Sequence, residues 1–240
     1  MSFVSQNHKL CFIHVPKAGG SSISEALKKS VPAVIYSRKR QFGSEYPDPY
    51  RWSGSGHHTI LDYQQEFKRS PDWSFAIIRN PYERCVSAFM VHSDYGKKYY
   101  SQGATDERML HEWEKYLIFC ENWNKSRSKI FRRNNSTLDS SYVFFHSGPA
   151  IHMLPSHYMI SIEDKIAVNK LVAMRDIHKI PSIVEHHTGI KIFNILHENK
   201  SDSKNFYDLF LTNENSCFKF LARGSGGFPP NKGSRSCLIS

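Results

Sequence analysis

The sequence predicts an α/β fold, a central parallel sheet flanked by helices in a single domain, and three observations predict it. Two short apolar runs, Leu10 to Val15 (LCFIHV) and Phe75 to Ile78 (FAII), have the near-continuous hydrophobicity of strands buried on both faces. Each runs at once into a loop and then a helical pattern, the alternation that builds parallel layers. At 240 residues the chain is long enough to bury one large core without disulfides or metals.

In the first strand-to-helix unit the strand leads into Pro16-Lys17-Ala18-Gly19-Gly20-Ser21-Ser22. Ser22 and Glu25 have the spacing of a capping box, and Ile23, Ala26 and Leu27 supply the apolar face of the helix. The second unit spans Ser74 to Met90: Asn80 suits the cap, Pro81 the first helical position and Glu83 a second capping box, with Val86, Ala88 and Phe89 as the inward face. Between the units, Ser37 to Gly56 lacks any periodicity and is rich in Gly, Pro, Ser, Tyr and Arg, so a long surface loop is expected there. Its Tyr46, Tyr50, Arg51 and Trp52 are candidates for contact with an acceptor molecule.

Further along, a helix is expected over Leu110 to Asn124 and a polar, basic loop over Lys125 to Ser141. Short strands are expected at Tyr158 to Ile160 and Leu171 to Met174, followed by a helix over Ile177 to His187 that Gly189 stops. The Gly, Ser and Pro content from Arg223 onward predicts a flexible tail, so the domain is drawn over residues 1–222 and the tail over 223–240.

A net charge of +10 and a pI near 9.3 favour anionic partners. The Lys and Arg residues are spread along the chain, and the run Arg38-Lys39-Arg40 is too short to indicate nucleic-acid binding by itself. Cys11, Cys85, Cys120, Cys217 and Cys237 are odd in number and scattered, which reads as reduced thiols rather than a disulfide framework or zinc site. No stretch approaches the roughly 18 apolar residues of a membrane span, and the N-terminus lacks a signal-peptide pattern. A cytoplasmic protein without a membrane partner is expected, and the sequons at Asn124 and Asn199 are then chance matches.

A strand, a loop of small residues and a helix N-terminus form an anion site, because backbone N–H groups approach an oxyanion and the helix dipole adds positive charge. Lys17 supplies a full charge. The loop is P-loop-like, yet Lys17 precedes Gly19 and Gly20, whereas in GxxxxGK[ST] the lysine follows the glycines. The plainer reading is a tight turn with a solvent-facing lysine. In the second unit Arg79 ends the strand and Ser87 lies eight residues on, about two helical turns into the following helix. An arginine fork there can pair bidentately with phosphate, and the serine adds a neutral hydrogen bond. Alternatively Arg79 pairs with Glu83, and Ser87 bonds a helical carbonyl.

In this order, PKAGGSS and Arg79-Asn80-Pro81-Tyr82-Glu83-Arg84-Cys85-Val86-Ser87 resemble the sulfotransferases that use 3′-phosphoadenosine 5′-phosphosulfate (PAPS), in particular the carbohydrate O-sulfotransferase branch. The resemblance extends more weakly to Met153 to Ile160 (MLPSHYMI) and His197 to Ser201 (HENKS), and departs at Ser156, where relatives often carry glutamine. It implies that Lys17, Ala18, Gly19, Gly20, Ser21 and Ser22 hold the 5′-phosphosulfate, that Arg79 and Ser87 hold the 3′-phosphate, and that adenosine 3′,5′-bisphosphate (PAP) is the product. Lys17 then meets the charge that develops on the leaving group, and no metal is required. A glycan or small-metabolite hydroxyl is the implied acceptor; oligomeric state is not legible.

Transfer to a hydroxyl also needs a base. Gly56-His57-His58-Thr59 resembles the base-bearing segment of some carbohydrate 2-O-sulfotransferases, and that register selects His57, with His58 second. Neutral histidine at pH 7 suits proton removal. Two ordinary loop histidines are the competing reading. At the level of function, a nucleotide- or RNA-binding module without transfer chemistry is the alternative, weakened by the lack of an RNP-like aromatic motif, and a P-loop kinase is weakened by the lysine position.

Overall fold

The computed structural model describes residues 2–32, 58–91, 102–133, 152, 156–163, 165–193 and 195. The expected loop over Ser37 to Gly56, His57, the HENKS segment and the 223–240 tail lie outside them. The chain groups into two compact units, Met1–Ala88 with Asp139–Ser201, and Phe89–Leu138 with Asp202–Ser240.

The first unit holds a four-stranded sheet of β1 (Phe3–Val4), β2 (Cys11–Ile13), β3 (Ser74–Ile78) and β6 (Lys170–Ala173), in the order β1-β2-β3-β6. β2, β3 and β6 are parallel, whereas β1 pairs antiparallel to β2 along one edge, so the sheet is mixed but mostly parallel. Its centre is dry: Phe12, Phe75 and Ala76 are fully buried, as expected of strands covered on both faces. Register is held where β3 and β6 begin. The Asn169 side-chain oxygen accepts from the Ser74 N–H and hydroxyl, both at 2.8 Å, and the Asn169 N–H donates back to Ser74 Oγ at 3.2 Å.

Helix α1 (Gly20–Ser30) buries Ile23, Ala26 and Leu27 in the same core. The capping box expected from Ser22 and Glu25 is not made. The helix begins three residues earlier, Gly19 is its left-handed N-cap without a side-chain cap bond, and Glu25 pairs with Lys28 at 2.7 Å. Helix α2 (Ile60–Phe67) is anchored by buried Ile60 and Tyr63, and the Tyr63 hydroxyl lies 2.8 Å from His8 Nδ1. Helix α3 (Pro81–Val91) starts as expected: Asn80 Oδ1 accepts from the Tyr82 N–H at 2.9 Å, and Pro81 occupies the first position. Glu83, however, turns to Arg79 instead of closing a capping box.

In the second unit, α4 (Asp106–Arg133) includes the predicted helix and runs nine residues into the expected loop. Lys, Arg and Ser at 125–129 offered no apolar periodicity, but straight-chain Lys and Arg are good helix formers once a helix is under way. Its N-terminal half buries Met109, Trp113 and Tyr116, with Phe89 edge-to-face on Trp113 at 5.2 Å between centroids. Glu112 is buried there between Arg108 at 2.9 Å and Lys115 at 3.1 Å.

The strand expected at Tyr158 to Ile160 is instead part of α5 (Ser156–Ile160), which leads into a small antiparallel pair, β4 (Ser161–Ile162) with β5 (Lys165–Ile166). Met159 and Ile160 are consecutive and both buried, which the alternating faces of a half-buried strand do not allow. The helix expected over Ile177 to His187 is a 3₁₀ segment, Met174–Lys179, followed by α6 (Ile180–Thr188), and Gly189 caps it at φ 71°. Pro181 at the start of α6 is where a proline costs no hydrogen bond.

Candidate functional site

Parallel strands β2 and β3 are direct neighbours, with Ile13 opposite Ala76, and both motif loops leave from their carboxyl ends. That is where ligands sit in sheets of this kind. The loop after β2 folds back tightly, with the Ala18 N–H reaching the Val15 carbonyl at 3.4 Å and the Ala18 methyl fully buried. Ala18 therefore shapes the turn, and its N–H points into the protein. Lys17 and Gly19 both take left-handed backbone angles, at φ 61° and 82°. Glycine tolerates this freely, but lysine is held there at a cost of about 1 kcal/mol, a kind of strain found where local geometry serves a site.

The first turn of α1 presents the N–H groups of Gly20, Ser21 and Ser22, which by helix geometry have no intrahelical acceptor. Gly20 has no room for a side chain: a Cβ there would stand 2.3 Å from His14 Cδ2 and 2.6 Å from His14 Nε2. The His14 ring is buried and stacked on Phe12, so it braces the start of the helix from below. Gly19 rests on Met174 and Ile177, whose side chains would meet a Cβ at 3.4 and 3.5 Å. Ser21 is exposed and Ser22 is buried at the base of the same turn. A loop of this build, closed from below and followed at once by the first turn of a helix, is of the kind that can take a tetrahedral oxyanion.

Two cations converge on it. Arg79, at the end of β3, donates from Nη1 to the Lys17 carbonyl at 3.4 Å and from Nε to Glu83 Oε2 at 2.9 Å. The Arg79–Glu83 pair weighed from sequence is thus present, and the same guanidinium also reaches the loop that carries Lys17. Partial burial of Lys17, and then the nearby Arg79 charge, hold its ammonium pKa below the usual lysine value. An anion between the two cations relieves this repulsion. Ser87 is buried in α3, and Arg84, from the same motif, is buried with Nη1 donating to the His152 carbonyl at 3.0 Å. Arg84 thus ties the second motif to the body of the unit.

Of the two candidate bases, only His58 lies within the described residues, and it is buried. Its backbone joins the loop through Ser2, whose hydroxyl accepts from the His14 N–H at 3.0 Å and the His58 N–H at 3.2 Å. Sequence reasoning missed Ser2, His14, Met174 and Ile177. The last two arrive from a segment more than 150 residues away, and only His14, adjoining the motif, carried any signal.

Among the described residues no group of acidic, His and Cys side chains could hold a metal ion, and no helix is long and apolar enough to cross a membrane. Cys11 and Cys85 are free and buried; burial pushes the Cys85 thiol up to about 11, which keeps it protonated and unreactive. No curated protein and no solved structure gave a match to this chain. The model of the sulfotransferase family matches residues 1–144, more than half of the 240 residues and both motif loops, so the chain belongs to the sulfotransferase family and is a transferase of sulfuryl groups.

Proposed function

We propose that this enzyme moves the sulfuryl group of PAPS to a hydroxyl of a carbohydrate or small-molecule acceptor. The observation that carries the reading is the meeting of Arg79 with the Lys17 carbonyl, which brings the cations of both motifs to the ends of adjacent parallel strands. A donor with phosphates at both its 3′ and 5′ positions uses both. PAPS supplies the activated sulfuryl group and a leaving group that departs as a stable phosphate.

The N–H groups of Gly19, Gly20, Ser21 and Ser22 hold the 5′ end, with Ala18 setting the turn. Arg79 and Ser87 hold the 3′-phosphate. Lys17 balances the charge that grows on the bridging oxygen as its bond to sulfur breaks. His57 takes the proton of the acceptor hydroxyl while that oxygen bonds to sulfur, with His58 as second choice. The basic net charge assists recruitment of both anions.

Calorimetry with adenosine 3′,5′-bisphosphate, ATP and RNA tests the reading. Tight, magnesium-independent binding of the bisphosphate alone is expected; preference for ATP with magnesium, or for RNA, overturns it. His57→Ala should retain bisphosphate binding and lose roughly 10²- to 10⁴-fold in turnover. Turnover at the wild-type rate in that variant would remove His57 as base. Screening hydroxyl compounds by mass spectrometry for a gained sulfo group identifies the acceptor.

Glu83 occupies one edge of the Arg79 fork while being 41% exposed itself, so the pair is worth only about 0.2–1 kcal/mol. Glu83→Gln leaves only a neutral acceptor at that edge and removes a negative charge beside the incoming phosphate. Bisphosphate binding should tighten by about two- to fivefold at low salt, an effect that shrinks as salt is raised. Weaker binding in Glu83→Gln would show that the carboxylate instead holds Arg79 in its working orientation.

A further inference from the structure

Ser2 belongs to no motif, yet its hydroxyl is used to capacity. It donates to the His58 carbonyl at 3.1 Å and accepts from the His14 N–H at 3.0 Å and the His58 N–H at 3.2 Å. One donor and two acceptor positions are all that a serine hydroxyl has. The three bonds join three separate stretches: the residue before β1, the exit of β2 two residues ahead of Pro16, and the segment that enters α2. His14 and His58 are both buried, so water does not readily replace the hydroxyl.

We propose that Ser2 is a positioning residue for sulfuryl transfer, a clasp that sets the base-bearing segment against the phosphate loop. The proposal rests on the reading of Lys17 as the leaving-group charge and of His57 or His58 as the base. Those groups must hold a fixed separation for one hydroxyl to lie between base and sulfur, and neither loop provides it alone. The loop is braced from below by His14, Met174 and Ile177. The base segment is anchored downstream by Ile60 and Tyr63. Ser2 is the described side chain that bonds to both backbones upstream of those anchors.

Because β1, α1 and α2 keep their own packing, Ser2→Ala should fold and should leave the anion loop intact. Small losses of registration at a reacting centre cost much in rate, so its turnover should fall by about 10- to 100-fold. Hydrolysis of PAPS to the bisphosphate and sulfate, with water as the acceptor, measures this without knowledge of the natural acceptor. Bisphosphate affinity should stay within about twofold of wild type, and Ser2→Thr, which keeps the hydroxyl, should restore the rate.

Amide hydrogen exchange gives a readout independent of activity: the His14 and His58 amides should exchange faster in Ser2→Ala. Unchanged exchange at both overturns the clasp. Faster exchange with an unchanged rate overturns its part in transfer, and loss of rate together with bisphosphate affinity and melting temperature reduces Ser2 to a general stabilising role. If wild-type protein fails to bind the bisphosphate, the donor assignment fails by that measurement, while the exchange result still reports on the clasp.

Discussion

Replacing Lys17 with alanine should lower turnover by about 10³-fold or more while the melting temperature holds or rises. In the proposed transfer Lys17 is the positive charge that meets the leaving oxygen, and the rate loss follows from removing it; single preorganised contacts of this kind contribute about 10²–10³-fold, and a full charge more. The stability side follows from the cost of keeping that charge in place. Lys17 is partly buried and faces Arg79, and both effects push its pKa below the ordinary 10.5.

A lysine whose pKa is lower folded than unfolded is penalised at every pH where both states carry the proton. That penalty is fully present at neutral pH. It fades as pH rises through the lowered folded pKa toward the ordinary value, because the unfolded chain then binds more protons and stability increases with pH. Lys17→Ala should therefore lack both the penalty and this alkaline rise. Lys17→Gly also removes the cost of a side chain at φ 61° and should melt higher still. Thermal melts from neutral to alkaline pH check the order; an alanine variant melting several degrees below wild type would show that Lys17 supports the fold. In wild-type protein, bisphosphate affinity should fall on the alkaline side before the ordinary lysine range is reached, since only the ammonium form attracts the ligand.

Gly20→Ala should weaken bisphosphate binding by well over tenfold, although alanine is the better helix former. At a first helical turn the propensity gain is a fraction of a kcal/mol, whereas the new methyl meets the His14 ring at 2.3 Å. Overpacking of this order costs about 1–3 kcal/mol, and here it displaces the first-turn N–H groups to which the proposed function assigns the 5′ end of the donor. The ring is wedged against Phe12, with centroids 5.8 Å apart, and has little room to yield. His14→Ala combined with Gly20→Ala opens that space, and the double variant should bind more tightly than Gly20→Ala alone. Affinities for the four members of this cycle decide the matter. Equal losses in the single and double variants would place the fault in the helix start rather than in the contact with His14.

The two strand-to-helix units were legible because every signal in them is local. The apolar runs, the small-residue loop, Asn80 and Pro81 each specify their conformation within a few residues, and the sheet brought both loops to the same edge as the alternation of elements implied. Where signals conflicted, long-range packing decided. Ser22 and Glu25 had the spacing of a capping box, but Gly19 and Gly20 allowed the chain to turn earlier, onto Met174 and Ile177. Glu83 had an equal claim to the α3 N-terminus and to Arg79, and it took the arginine. Met159 and Ile160 looked like strand residues because three apolar neighbours carry too little periodicity to separate strand from helix.

From sequence alone, then, came the α/β class, the order of its two strand-to-helix units and the residues that bear charge in them, since those depend on residue type and short spacing. The tertiary structure alone decided that the Arg79 guanidinium reaches the Lys17 carbonyl, that His14 and Gly20 share one space, and that a serine at position 2 binds the backbones of His14 and His58. Contacts between residues 6 to 62 positions apart leave no periodic trace in a chain; the one between Arg79 and Lys17 exists only once parallel pairing of β2 and β3 has brought their loops to one edge.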